Sequence, residues 1–173
     1  MKRRGQVWIE TVIYTLIAFV VIGAVLAFVK PKIEELQDKI IIDQTIEMIG
    51  EIDNSIVSII QGGGGNKRLL TLKIKKGSLI IDGLNDKLVF EIESRYQYSE
   101  PGEDITEGDL TINTKEQGKY NLITLIRNYD ENILFNEKDE LKTISKSSTS
   151  YQLFITNKGE DEVGKIKIDF EIG

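Results

Sequence analysis

Residues 11–29 read TVIYTLIAFVVIGAVLAFV, and this uncharged run decides how the chain is organised. As an α-helix these 19 residues extend roughly 28 Å, at about 1.5 Å per residue, close to the thickness of a bilayer hydrocarbon core. A spanning segment in lipid satisfies its backbone hydrogen bonds only as a helix or a closed barrel. Lys30 and Pro31 follow directly. The run therefore predicts a transmembrane helix over residues 6–30.

The residues before this run predict its orientation. Lys2, Arg3 and Arg4 form a basic cluster, which favours a cytoplasmic N-terminus, a single membrane pass and an extracellular location for the rest of the chain. Glu10 lies where the chain enters the membrane. Because a carboxylate there loses hydration, Glu10 is expected to have a partner; the alternative is that it faces water at headgroup level.

Residues 1–11 read MKRRGQVWIET and resemble the class III signal peptide of archaeal type IV pilins. That signal has a short basic leader, a Gly before the cut, a Gln after it and a Glu five residues into the mature chain. Gly5, Gln6 and Glu10 match these places. The resemblance implies a leader of residues 1–5 removed by a prepilin peptidase. It also implies that the helix is retained and binds identical or related pilin subunits, with Glu10 attracting a neighbour's N-terminal amine.

Residues 31–61 predict an amphipathic helical stalk that continues the membrane helix. Apolar side chains recur there at helical spacings, and charged residues occupy the other positions. The apolar positions are Ile33, Leu36, Ile40, Ile42, Ile46, Ile49, Ile52 or Asp53, Ile56, and Ile59 or Ile60. We expect this helix to pack first on sister helices and then on its own β domain; the alternative is a plain core helix of that domain. Residues 62–66 read GGGGN and predict a flexible linker, because each glycine costs about 1 kcal/mol in a helix.

Residues 67–173 predict an extracellular β-rich head domain. Short runs with alternating apolar and polar residues are separated by glycine-containing turns, a pattern typical of an antiparallel β-sandwich or barrel-like fold. The expected strands cover 69–75, 79–82, 88–93, 95–98, 110–112, 120–129, 133–135, 151–157 and 163–172. The expected fold class is therefore α+β, with a long N-terminal helix followed by this head.

Composition excludes several classes of function. The chain has no His and no Cys, so it lacks imidazole and thiolate ligands for zinc, haem, copper and iron–sulfur sites, and it cannot form a disulfide. The same absence excludes Ser-His-Asp and Cys-His nucleophiles. With 28 acidic and 22 basic side chains the net charge is -6, which disfavours binding to nucleic acid. We expect no enzymatic activity, no catalytic residues, no metal and no cofactor.

Two groups in the head domain offer weaker hypotheses. Acidic side chains gather near a Pro-Gly turn and could hold Ca²⁺ or act as a glycosidase pair, although acidic loops are usually only solvated. They are Glu100, Glu103, Asp104, Glu107 and Asp109. Tyrosines could form an adhesive surface, although strand tyrosines more often pack across strands. They are Tyr96, Tyr98, Tyr120, Tyr129 and Tyr151.

The leading hypothesis is a major or minor pilin, a structural subunit of an archaeal type IV pilus-like filament. It would be cut between Gly5 and Gln6 and polymerise through its N-terminal helix, with membrane lipid, the prepilin peptidase and other pilin subunits as partners. The alternative is a single-pass, membrane-anchored β domain that binds a ligand or an envelope component without polymerising. A third hypothesis, an extracellular hydrolase built on carboxylates, would need two acids to converge in a cleft of the head.

Overall fold

A computed structural model describes the backbone of residues 3–173 and the side chains of residues 8–173. One helix, α1 (Arg3–Gly62), continues through Pro31. The chain forms two compact units: the first ends at Gln37 and the second is Asp38–Gly173. The predicted division at the glycine run therefore differs from the observed one, because the last part of α1 belongs to the same compact unit as the strands.

The second unit contains ten strands in two sheets. The strands are β1 (Lys67–Leu72), β2 (Ser78–Asp82), β3 (Lys87–Ser94), β4 (Asp104–Glu107), β5 (Leu110–Gln117), β6 (Tyr120–Asn128), β7 (Asn132–Phe135), β8 (Leu141–Ser145), β9 (Tyr151–Glu160) and β10 (Ile166–Ile172). One sheet has the order β4-β5-β6-β3-β2-β8, and the other has the order β1-β9-β10-β7. The α+β class is thus confirmed.

The two sheets differ in part from the expected antiparallel sandwich or barrel, both in closure and in strand direction. The six-stranded sheet is antiparallel throughout, but β7 pairs in parallel with β10 in the other sheet. The strand orders leave β4, β8, β1 and β7 as edges, so neither sheet closes into a barrel. The chain leaves the six-stranded sheet after β6, adds β7 to the other sheet and returns with β8. The second sheet is therefore mixed.

The core lies between one face of α1 and the two sheets. Alternating steps of three and four residues bring the buried positions of α1 onto a single face, as helical geometry requires. These positions are Asp38, Ile42, Thr45, Ile49, Ile52, Ile56 and Ile59. The isoleucines among them join one apolar cluster with strand residues such as Phe90 and Phe170. Thr45 is tolerated there because its hydroxyl donates to the carbonyl oxygen of Ile41 over 2.8 Å.

The glycine segment after α1 is held by hydrogen bonds, which differs from the expected flexible linker. Gly63 has a φ of 82°, the left-handed conformation that commonly follows a helix C-terminus. The Gly65 amide donates to the carbonyl of Asn157 over 2.7 Å. The Asn157 side chain in turn donates to the carbonyl of Ile59 over 3.2 Å. Strand β9 therefore supplies a hydrogen-bond donor to a carbonyl in the last turn of the helix, and it also holds the segment that follows.

Residues 95–98, an expected strand, are irregular instead. The hydroxyl of Ser94 accepts a hydrogen bond from the Tyr96 amide over 2.9 Å and donates to the Tyr96 carbonyl over 2.8 Å. Side-chain hydrogen bonds of this local kind compete with strand pairing. Strand β3 therefore ends at Ser94.

Candidate functional site in the N-terminal helix

The first part of α1 is exposed and apolar on all sides. Trp8 is 72 % exposed, Val20 71 % and Phe28 79 %; at about 100° per residue these three side chains lie on different sides of the helix. Within the described part of the chain, Trp8–Gly62 contains a segment long and apolar enough to cross a membrane, and none of that apolar segment is buried. A helix that is apolar all round requires a membrane or a protein core as its surroundings.

Glu10 is the single charged residue between Trp8 and Val29. Its side chain is exposed, and it has no hydrogen bond or ion pair with any residue whose side chain the structure describes. The nearby Thr15 hydroxyl, in contrast, donates to the carbonyl oxygen of Thr11 over 2.8 Å, a bond that lets a hydroxyl enter an apolar environment. Any partner of Glu10 would therefore lie outside this described set.

The residues of the expected processing site lie at the beginning of α1. Arg3, Arg4, Gly5 and Gln6 are helical in the backbone, while their side chains lie outside the described set. Lys2 lies outside the described residues altogether. The cut between Gly5 and Gln6 and the basic leader therefore stay predictions.

Apolar exposure continues beyond the uncharged run. Ile33 is 47 % exposed and Leu36 is 62 % exposed. Lys32 and Glu35 form an ion pair of 2.6 Å along the same stretch of helix. Exposed apolar side chains therefore extend past Pro31, towards the end of the first unit.

Asp38 fixes the helix at the beginning of the second unit. It is buried; one carboxylate oxygen lies 2.5 Å from Lys76 Nζ, and the other accepts the Arg95 amide hydrogen over 2.7 Å. The sequence pattern assigned Asp38 to the polar face. The usable signal was its position four residues before Ile42, in line with the buried stripe.

Asp53 makes another polar contact between α1 and the strands. Arg127 Nε donates to Oδ2 over 2.8 Å and the Tyr129 hydroxyl donates to Oδ1 over 2.6 Å. Burial, followed by the charge of Asp53, raises the pKa of Tyr129 well above its ordinary value. Burial lowers the pKa of Arg127, but the hydrogen bond and charge of Asp53 outweigh it, so that this pKa is raised. Both partners therefore keep the protonation states that the contact needs.

The acidic group near the Pro-Gly turn is divided among separate contacts. Asp104 accepts from Asn113 over 2.7 Å, Glu107 accepts from Tyr98 over 2.8 Å, and Asp109 lies 3.4 Å from Arg127. Glu100 and Glu103 lie in the loop before β4. Across the residues that the structure describes, no three or more acids converge as a metal site would require.

The tyrosines make different local contacts. Tyr96 and Tyr98 meet edge to face with ring centroids 6.2 Å apart. Tyr120 is exposed and faces the Arg95 guanidinium, whose carbon lies 5.0 Å from the ring centroid. The Tyr151 hydroxyl donates to the carbonyl of Ser145 over 3.0 Å. Together with the contact of Tyr129 to helix α1, these contacts give the tyrosines mainly packing roles.

Another polar cluster joins β9, β10 and the turn that follows β7. Asp169 is fully buried, and its Oδ1 accepts the Glu137 amide hydrogen over 2.7 Å. Lys158 Nζ lies 3.5 Å from Asp169 Oδ2 and 2.6 Å from Glu137 Oε1. The hydrogen bond to Glu137 raises the pKa of Lys158, and the same bond lowers the pKa of Glu137. The alternating pattern predicted an outward-facing Asp169; the turn that carries Glu137 covers it, and local sequence holds no signal for that covering.

Comparisons of the chain with protein-family models, with curated proteins and with solved structures find no match. The residues and contacts described above are therefore the basis for assigning a function.

Proposed function

We propose that this chain is a membrane-inserted structural subunit of a type IV pilus-like surface filament. It is processed between Gly5 and Gln6 and polymerises through the first part of α1. The observation that carries the proposal is the contrast along α1. Between Trp8 and Val29 the helix is apolar and exposed all round, whereas from Asp38 onward one of its faces is buried against strands.

Two features favour polymerisation over a simple membrane anchor. An anchor needs an apolar helix but gains nothing from a charged residue within it, and Glu10 has a free-energy cost in lipid unless it is paired. An anchor also gains nothing from Ile33 and Leu36, which are exposed beyond Pro31. A neighbouring copy of the helix would cover these two side chains and supply a partner for Glu10.

The partner that best suits Glu10 is an amine at the membrane boundary. A cut after Gly5 would create a new amine at Gln6, in each copy of the chain. Attraction between this amine and Glu10 of a neighbouring copy would be strong where water is excluded, since Coulomb energy rises as the effective dielectric constant falls. The pairing would also offset the desolvation of both groups. Each copy would carry one donor and one acceptor, which suits an open, head-to-tail assembly.

The absence of cysteine makes a direct test of helix contacts possible. A single cysteine at Leu36 (L36C) in the full chain, expressed in a host with a prepilin peptidase, is expected to form disulfide-linked dimers under mild oxidation. The control is L84C, because Leu84 is also an exposed apolar residue but lies in the turn between β2 and β3. Equal monomer fractions for L36C and L84C would count against polymerisation.

A matched pair of charge variants tests Glu10. E10Q is expected to reduce surface filaments at least tenfold by electron microscopy, while E47Q, at an exposed acid of the second unit, should assemble normally. Normal filaments from E10Q would refute the pairing. A protein that keeps Met1 or Lys2 and stays monomeric would instead fit the anchored β domain.

A further inference from the structure

Asp169 Oδ2 is a buried oxygen without a hydrogen bond from any described residue. The side chain lies in β10, in register with Thr156 of β9, and it is fully buried on both oxygens. An ionised oxygen that is buried and not hydrogen-bonded is costly in a fold, so it requires an explanation.

The surroundings of Asp169 bring three reactive groups together. Lys158 Nζ, a nitrogen nucleophile when deprotonated, is 3.5 Å from Oδ2. Glu137 Oε1, a proton acceptor, is 2.6 Å from the same nitrogen. The Glu137 amide donates to Oδ1 over 2.7 Å, as a donor to a developing oxyanion would. Asn136 and Glu137 hold left-handed φ values of 51° and 63°, a costly backbone conformation for residues other than glycine that often occurs at functional sites.

We propose that Lys158 and Asp169 condense into an intramolecular isopeptide bond that cross-links β9 to β10, with Glu137 as the proton carrier. The nucleophile, the carbonyl carbon and the proton carrier all belong to this one chain. The reaction needs no oxidant and no cofactor. It also does not depend on whether the chain polymerises.

The atoms and charges of the reaction balance. One proton of the Lys158 ammonium passes through Glu137 to Asp169 Oδ2, which leaves a neutral amine and a neutral carboxylic acid. The Nζ lone pair then forms a bond to Cγ, and the carbonyl electrons move to Oδ1, which the Glu137 amide stabilises. Glu137 takes a second proton from Nζ and gives it to Oδ2. The Cγ–Oδ2 bond breaks, one water leaves, and a neutral amide remains.

Two physical effects favour this condensation inside the fold. Groups held in contact react with effective concentrations of about 10⁵–10⁸ M when their orientation is suitable. The product also replaces the charge on the fully buried Asp169 carboxylate, whose desolvation is costly, by a neutral amide. A cross-link of this kind would join β9 covalently to β10. A disulfide cannot do so, because the chain has no cysteine.

The test is mass spectrometry of the full chain purified in mild detergent. The intact mass is expected to be lower than the sequence mass by one water, and tandem spectra of a digest should contain a branched peptide that joins Lys158 to Asp169. The branched peptide is the decisive observation, because a succinimide at Asp82-Gly83 also lowers the mass by one water. A digest with only linear peptides covering Lys158 and Asp169 would overturn the proposal.

Variants separate the roles of the three side chains. K158R keeps the positive charge but lacks the nucleophilic amine, so the branched peptide should disappear. K165R is the control, because Lys165 pairs with Asp86 instead, and it should retain the branched peptide. E137Q removes the proton carrier, and we expect bond formation to slow by roughly 10²-fold or more. A branched peptide at Asp169 in K158R, or an unchanged rate in E137Q, would contradict the assigned roles.

Discussion

The Tyr129 hydroxyl donates a 2.6 Å hydrogen bond to Asp53 Oδ1, and this bond joins the residue that follows β6 to helix α1. Arg127 Nε donates to the other oxygen of Asp53 over 2.8 Å. The apolar contacts of Ile52 and Ile56 lie beside this polar contact on the same helix. Polar and apolar contacts together thus fix which face of α1 meets the sheet.

Removing the Tyr129 hydroxyl should destabilise the second unit. Y129F leaves Asp53 Oδ1 without its partner, and we expect the free energy of unfolding to fall by about 1–3 kcal/mol, towards the lower end because Asp53 retains some exposure to water. Denaturant unfolding of the full chain in detergent, followed by circular dichroism, measures the change. Y120F, at an exposed tyrosine, should change stability by less than about 0.5 kcal/mol; equal effects for the two variants would contradict the account.

The same tyrosine should make stability depend on alkaline pH. Burial and Asp53 raise the pKa of Tyr129 above the ordinary 10.0, so the folded state holds the phenol proton more tightly than the unfolded chain. Its contribution is complete below pH 10 and is lost as the pH rises above it, because the unfolded chain then releases the proton. Above pH 10 the free energy of unfolding should therefore fall more steeply for the wild type than for Y129F. Parallel curves for the two proteins would show that Tyr129 does not titrate in this way.

The buried stripe of α1 should contribute much of the stability of the second unit. Ile52 is completely buried, and I52A is expected to cost about 2–5 kcal/mol through lost burial and the cavity that it leaves. Val57 lies on the exposed side of the same helix, so V57A should cost far less. The difference between the two denaturation midpoints is the measurement, and similar midpoints would mean that α1 does not pack on the strands as described.

Alanine substitutions at two glycines distinguish the cost of a left-handed φ from the cost of a steric collision. Gly77 and Gly108 both have left-handed φ values, 82° and 62°. An added Cβ at Gly77 would collide with the Glu91 carbonyl oxygen and come within 2.9 Å of Phe90 Cε1, whereas one at Gly108 meets nothing within 4 Å. G108A should therefore cost about 1–2 kcal/mol for the φ value alone, and G77A clearly more. Equal shifts in thermal midpoint would contradict the turn geometry at Gly77.

The helix and most strands could be predicted because the spacing of apolar residues in the local sequence differs between helices and strands. The uncharged run of residues 11–29 and the isoleucine spacing after it predict α1, and alternation predicts long strands such as β3 and β6. Strands β4 and β8 are short and carry several polar residues. Because their pairing comes from neighbouring strands, local sequence gives a weak signal for both.

The polar contacts were harder to predict, since they depend on pieces of chain far apart in sequence. Asp38 and Asp169 both follow patterns of exposed acids, yet tertiary contacts bury each of them. Asn157 holds the end of α1 from a distance of 98 residues along the chain. The glycine run therefore indicates where the helix ends but does not reveal that β9 fixes the segment.

The central claim is that the apolar part of α1 stays in the finished protein after a short leader is removed. Mass spectrometry of the N-terminus of the protein isolated from its native membranes tests this claim directly. We predict a mature chain that begins at Gln6 and still contains residues 11–29. A natural product that begins beyond Val29, as a free β domain without the apolar helix, would contradict the account.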